Sequence, residues 1–301
     1  MTVDELGRRV LSLSDVASTG LLTAFCHAVE SRSQRPLLVD PLAEAIADRL
    51  RPALAASPLA LHQRLAAGTV RPSTVHYLAI RARRYDYYAR EFVRRPSGGC
   101  VVNLGCGLDT RFRRIGDGAA RFYDLDLPEV IELKRELVEE SDRYRMVASS
   151  VLDRAWMDRL AARGQGPLLF LAEGLMMYLR PQEVLSLVAG LRQRFEGAEL
   201  VFETVSALSI SPWLKWLTNR RMLRALDLGK GAEFRFGMRR GSEVEGWAPG
   251  VRLLEEWTCG DEAEAKVGWL RRHVNWKLFR HVQWTVRCRL GVGASERSAG
   301  A

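Results

Sequence analysis

The spacing of apolar residues changes once along the chain, near Gly99. From Asp4 to Arg95 they recur at helical intervals with no competing alternation. DPLAEAIADRL (40–50) opens on Asp then Pro, an N-cap followed by a proline in the first helical position, and predicts a helix start there. RPSTVHYLAIRARRYDYYAREFVRR (71–95) predicts another long helix, stopped by Pro96-Ser97-Gly98-Gly99. Beyond that stop, CVVNL (100–104), ARFYDL (120–125), RYRMVAS (143–149), PLLFLAE (167–173) and ELVFET (199–204) read as strands. Amphipathic stretches near 108–115, 128–140, 153–163 and 181–195 read as helices between them. Such alternation predicts an α/β fold with a doubly wound, mostly parallel sheet. Residues 206–245 break the rhythm with WLKWLTNRRMLRALDLGKG and FRFGMRR, and read as an inserted helical lid. VRLLEEW (251–257) and HVQWTVRCRL (281–290) are expected to close a seven-stranded sheet as an antiparallel pair.

The expected organisation is one domain: a helical N-terminal extension over 1–97, a core over 98–205, the lid over 206–245, C-terminal strands over 246–290 and a disordered tail over 291–301. At 301 residues and 47% hydrophobic content the chain can bury a substantial core, which excludes disorder as the default. The formal charge of +9 permits anionic partners, but the charges are interspersed and no RNA-binding signature accompanies them. Five cysteines without a CxxC pair indicate neither a disulfide framework nor a zinc site. The N-terminal MTVDELGRRVLSLSD lacks a continuous apolar core, and no apolar run of about 18 residues is present. The expectation is a cytoplasmic protein with no membrane and no nucleic-acid partner.

VVNLGCGLDTR (101–111) carries the chemistry. Gly105 and Gly107 fall in the first strand-to-helix turn of the sheet, where ligands of such folds bind. Glycine there permits positive φ and lets a ligand approach the backbone. A dinucleotide fingerprint needs a third glycine at position 110, which is Thr110 here, so a nicotinamide reading loses ground. YDLDLP (123–128) places Asp126 at a second strand tip, 19 residues after Gly107, suited to accepting both hydroxyls of a ribose. Asp124, two residues earlier, should share its face if the strand continues, or else lie within the strand. A phosphate-free nucleoside such as adenosine joined to a sulfonium amino acid fits these features.

VVNLGCGLDTRFRR, FYDLDLP and LAEGLMMYL together resemble the leucine carboxyl methyltransferase family, which includes bacterial polyketide O-methyltransferases. The resemblance runs over roughly residues 15 to 290. It implies a Rossmann-like class I methyltransferase fold, S-adenosyl-L-methionine as the cofactor, a helical N-terminal extension and a lid after the fifth strand. It also implies that Arg81 pairs with the donor's carboxylate, that Gly105 is the close-approach position, and that Asp126 accepts the ribose. Glu173 would lie beside the donor's amino group and sulfur. Ser150 and Val151 fall where the family has an Asp-Leu pair reading the adenine edge, and Ser150 departs from it. A family lysine near the N-terminus has no match around Phe25 to His27.

Methyl transfer from a sulfonium needs alignment and exclusion of water rather than a metal. A carboxylate acceptor needs no general base; a phenol would use one, and His27 and His76 are the candidates. Tyr178, Trp213 and Trp216 are candidate acceptor contacts, and Arg220, Arg221 and Arg224 could hold an acceptor's charge. Asp109 and Arg111 are expected to pair and shape the loop, and Cys106 to be a small filler. The expected function is an S-adenosylmethionine-dependent O-methyltransferase acting on a carboxylate or phenol of a small, polyketide-like metabolite. The alternatives are a protein C-terminal carboxyl methyltransferase and, from another class, an RNA-binding or RNA-modifying protein.

Overall fold

A computed structural model describes residues 2–14, 16–95, 99–116, 120–164, 166–212, 216, 233–262 and 282–291. The region before the change of period is helical: α1 (Val3–Leu11), α2 (Ser18–Ser31), α3 (Pro41–Ala55), α4 (Ala60–Ala66) and α5 (Pro72–Val93). Asp40 caps α3 as its sequence signals, accepting the backbone N–H of Ala43 at 3.0 Å. Strands and helices then alternate: β1 (Cys100–Leu104), α6 (Arg111–Ile115), β2 (Arg121–Asp126), α7 (Pro128–Leu137), β3 (Tyr144–Ala148), α8 (Arg154–Ala161), β4 (Leu168–Ala172), α9 (Pro181–Arg194) and β5 (Ala198–Val205). β6 (Val251–Trp257) and β7 (Gln283–Leu290) complete the sheet. The helix expected from 108 starts at Arg111, because Gly105 to Thr110 form an irregular turn.

The seven strands run in the order β3-β2-β1-β4-β5-β7-β6. β1 to β5 are parallel; β7 lies antiparallel between β5 and β6, as the sequence pattern predicts. β1, β4 and β5 are buried along their whole length, which explains why they read as continuous apolar runs rather than alternating ones. Alternate residues serve two cores. Val101, Leu169, Leu171 and Val201 pack with the N-terminal helices and α7. Val102, Leu104, Phe170 and Phe202 pack with α8 and α9. β1 pairs with both β2 and β4, so strand order reverses there and the carboxyl ends of β1 and β4 border a crevice. The N-terminal extension closes that crevice from one side.

Among the described residues no helix is long and apolar enough to cross a membrane. Trp213, Arg220, Arg221, Arg224 and residues 292–301 of the tail lie outside the described residues.

Candidate active site

A cavity of about 1100 Å³ opens at the carboxyl ends of β1 and β4. Its floor is the glycine turn. Gly105 and Gly107 adopt φ of +64° and +52°, a left-handed conformation that other residues adopt only with strain. A Cβ on Gly105 would come within 2.9 Å of Leu175 Cδ1, so a side chain there would have to displace Leu175. The backbone N–H groups of Gly105 and Cys106 both donate to the Leu125 carbonyl, tying the turn to β2.

Asp126, at the tip of β2, completes this floor and lines the cavity. Its Oδ2 accepts the Gly107 N–H at 2.7 Å and its Oδ1 accepts the Leu127 N–H at 2.8 Å. Each oxygen keeps a lone pair for a hydroxyl donor. Burial pushes its pKa up more than those two N–H groups pull it down. Asp124 takes the second course open to it in the sequence and lies inside the fold. It accepts Lys134 Nζ at 2.6 Å and Tyr144 Oη at 2.7 Å beneath the turn. Ser150 and Val151 line the cavity beside Asp126.

Glu173, just past β4, is held by two guanidinium groups: Arg81 Nε at 2.8 Å and Arg111 Nη2 at 2.6 Å. Burial alone would raise its pKa, but those two cations lower it. Arg81 also donates to Glu203 on β5 at 2.9 Å. Arg111 reaches Asp86 at 2.8 Å and Asp109 at 2.6 Å, so the predicted loop-shaping pair forms inside a larger network. Arg114 adds bonds to Asp86, Asp109 and Asp40. Three guanidinium groups thus serve five carboxylates, those of Asp40, Asp86, Asp109, Glu173 and Glu203. With Arg90 3.9 Å from Asp86 counted as a fourth guanidinium and His27 neutral, the fully ionised network carries one surplus negative charge, an environment suited to a cationic ligand.

His27, on α2, is buried on the cavity wall with Nδ1 3.5 Å from Asp40 Oδ2; its Nε2 has no hydrogen-bond partner. The sequence shows no carboxylate partner for either histidine; tertiary contact supplies both. His76 faces Glu30 at 3.8 Å and does not line the cavity, so its candidacy as a base is corrected: its helix turns it toward α2 instead. Trp216 is corrected in the same way, being 66% exposed and away from the cavity wall. Tyr178 does line the cavity, its ring tilted by 46° to that of Phe234 with centroids 5.7 Å apart, beside Met177. Arg235 and Phe236 both donate backbone N–H groups to the Met177 carbonyl, fixing that wall.

Sequence reasoning overlooks Gly20, Thr23 and Tyr77. All three line the cavity from the N-terminal helices, and Thr23, Ala24 and His27 form the wall where the family lysine has no match. A small residue one turn before Thr23 is the signal available for Gly20; for Tyr77, its spacing of four residues from Arg81 on α5 would have served.

The family model for leucine carboxyl methyltransferase matches residues 20–192. The chain is 30% identical to the tetracenomycin polyketide synthesis O-methyltransferase TcmP of Streptomyces glaucescens over 83% of its own length and 86% of the relative's. It is 27% identical to the S-adenosyl-L-methionine-dependent methyltransferase dpfgK of Gibberella zeae, covering 97% and 98% of the two chains. With the β3-β2-β1-β4-β5-β7-β6 sheet and the glycine turn in place, the chain belongs to the leucine carboxyl methyltransferase family of class I S-adenosylmethionine-dependent methyltransferases.

Proposed function

We propose that this protein methylates an oxygen, carboxylate or phenolic, of a small aromatic metabolite of polyketide type. The observation that carries this reading is the composition of the cavity beyond Glu173. Leu175, Met177, Tyr178, Leu179, Leu208 and Phe234 form a largely apolar wall of the same cavity as the glycine turn, which suits an apolar acceptor. The relation to a polyketide O-methyltransferase points the same way. Among the described residues on that wall, Asp109, Asp126 and Glu173 outnumber Arg81, which speaks against a polynucleotide.

The residues fit the donor. The left-handed glycines leave the close approach that an adenosyl group requires, Asp126 keeps acceptor capacity for ribose, and the surplus negative charge suits a ligand of net positive charge. Arg81 would face its carboxylate, Glu173 its ammonium group, and Ser150 with Val151 the adenine edge. When bound, S-adenosylmethionine supplies an electrophilic methyl group on a sulfonium. The chain's contribution is alignment and a dry wall around the acceptor oxygen. A carboxylate arrives already ionised. For a phenol, His27 on the cavity wall, with Asp40 behind its ring, is our candidate to take the proton.

The test is incubation with methyl-labelled donor and a panel of aromatic polyketide acids, phenols and peptides ending in a free carboxylate. Label on a small aromatic molecule supports the proposal, and mild alkali separates the outcomes, since a methyl ester hydrolyses and an aryl ether does not. Label only on peptides would replace it with the protein-directed reading.

A further inference from the structure

Glu203 is used by none of the roles above, yet it sits directly behind the cavity wall. It is 1% exposed on β5, and its Oε1 accepts the Tyr77 hydroxyl at 2.5 Å while its Oε2 accepts Arg81 Nη1 at 2.9 Å. Burial pushes its pKa up, opposed chiefly by Arg81 and then by the Tyr77 hydroxyl. Tyr77 and Gly174 line the cavity, and a Cβ built on Gly174 would lie 3.8 Å from Glu203 Oε2. Arg81 is shared between Glu203 and Glu173; Glu173 has Arg111 as well, whereas Arg81 is the guanidinium that pairs with Glu203. The Tyr77 proton is committed to Glu203. A phenol oxygen whose proton is committed in this way has only lone pairs to present to a cationic ligand, made more electron-rich by the carboxylate behind them.

We propose that Tyr77 and Glu203 form a charge-selective wall that favours the sulfonium donor over its demethylated thioether product. The proposal rests on the cavity being the donor site. Donor and product share adenosine, carboxylate and ammonium groups and differ by one methyl group and one positive charge. A discriminating element must respond to that charge, whereas in the reading above Asp126 and Glu173 engage the ribose and ammonium groups that donor and product share. In the transfer the S–CH₃ bond breaks with its electron pair left on sulfur, and an O–CH₃ bond forms using an acceptor lone pair. The positive charge that the wall attracts disappears at that step, so product is held less firmly than donor and leaves. Tyr77 and Glu203 are specificity-determining residues in this account; they take no proton from the acceptor.

Calorimetric titration of the full chain with S-adenosylmethionine, S-adenosylhomocysteine and a non-reactive analogue bearing an amine at the sulfur position tests this. Tyr77→Phe removes the hydroxyl and keeps the ring; Glu203→Gln removes the charge and keeps the shape. In each variant affinity for the two cationic ligands should fall about tenfold, with affinity for the thioether within about twofold of wild type. An unchanged ratio, or a fall common to all three ligands as a merely structural role would give, overturns the proposal. Wild-type protein that binds none of the three overturns the donor-site reading, and this proposal with it. Comparing two variants whose lesions differ, with thermal melts of each, separates a loss of selectivity from a loss of fold.

Discussion

Gly20 of α2 and Gly107 of the glycine turn meet backbone to backbone: a Cβ built on either lies 3.1 Å from the Cα of the other. The N-terminal extension therefore does more than cover one sheet face. It presses the turn into the shape that a donor would meet. Gly20→Ala gains helix propensity of about 1 kcal/mol but must push the turn away by a few tenths of an ångström. We expect a melting temperature within a few degrees of wild type and a clear loss of donor affinity by calorimetry. Gly107→Ala adds a left-handed φ of +52° and should lose both stability, by about 1–2 kcal/mol, and binding.

Asp126 holds the turn with one oxygen and its own strand end with the other. Asp126→Asn replaces one acceptor with an N–H donor aimed at a backbone N–H, so donor affinity should fall by at least about tenfold. Because burial raises the pKa of this carboxyl, wild-type affinity should decline with falling pH sooner than an ordinary aspartate would dictate. Titrations between neutral pH and about pH 4 measure both effects.

Asp40 joins α3, Thr110, Arg114 and His27. Burial alone would raise its pKa, but His27 and Arg114 prevail and hold it at about 2, below the ordinary 3.8. A depressed carboxyl contributes stability that is present above the unfolded pKa and lost as pH falls through the folded one, here between about 4 and 2. The contribution is about 2 kcal/mol. Asp40→Asn retains a good helix cap while removing the charge. Urea unfolding should show the variant less stable by that amount at pH 7, with the gap narrowing below pH 4.

Lys134 is fully buried and pairs with Asp124 beneath the glycine turn, where Tyr144 also donates to that carboxylate. Lys134→Met strands a buried negative charge and should cost about 3–5 kcal/mol in chemical denaturation. Replacing both partners, Lys134→Met with Asp124→Leu, should recover much of that loss, since the desolvation of both charges is removed together.

Much of the fold was legible because it is written in local periodicity. The seven strands and the antiparallel pair at the end follow from short apolar runs and their spacing, and the capped start of α3 from Asp40-Pro41 alone. Gly105, Gly107 and Asp126 were legible for a related reason: chain topology forces a first strand-to-helix turn and a second strand tip to meet, whatever packs around them. Arg81 and Glu173 came from family likeness, and the structure brings them within 2.8 Å across 92 residues of sequence.

What the chain's own order did not determine is which helix faces turn inward once the helices pack. His27 and His76 both lie on helices beside apolar residues, yet packing places the first on the cavity wall and the second against Glu30. Asp40 reads only as a helix cap, and nothing local singles out Asp86 or Arg114, until three segments converge and bury their side chains together, and only there does the surplus of acid over base come into being. The sequence by itself determined the strands, the turn and the acid at the strand tip, because these depend on neighbours a few residues apart. Tertiary structure alone decided the roof of Gly20, the Tyr77–Glu203 pair and the charge of the cavity, because each is a sum over residues that meet only after the N-terminal helices close on the sheet.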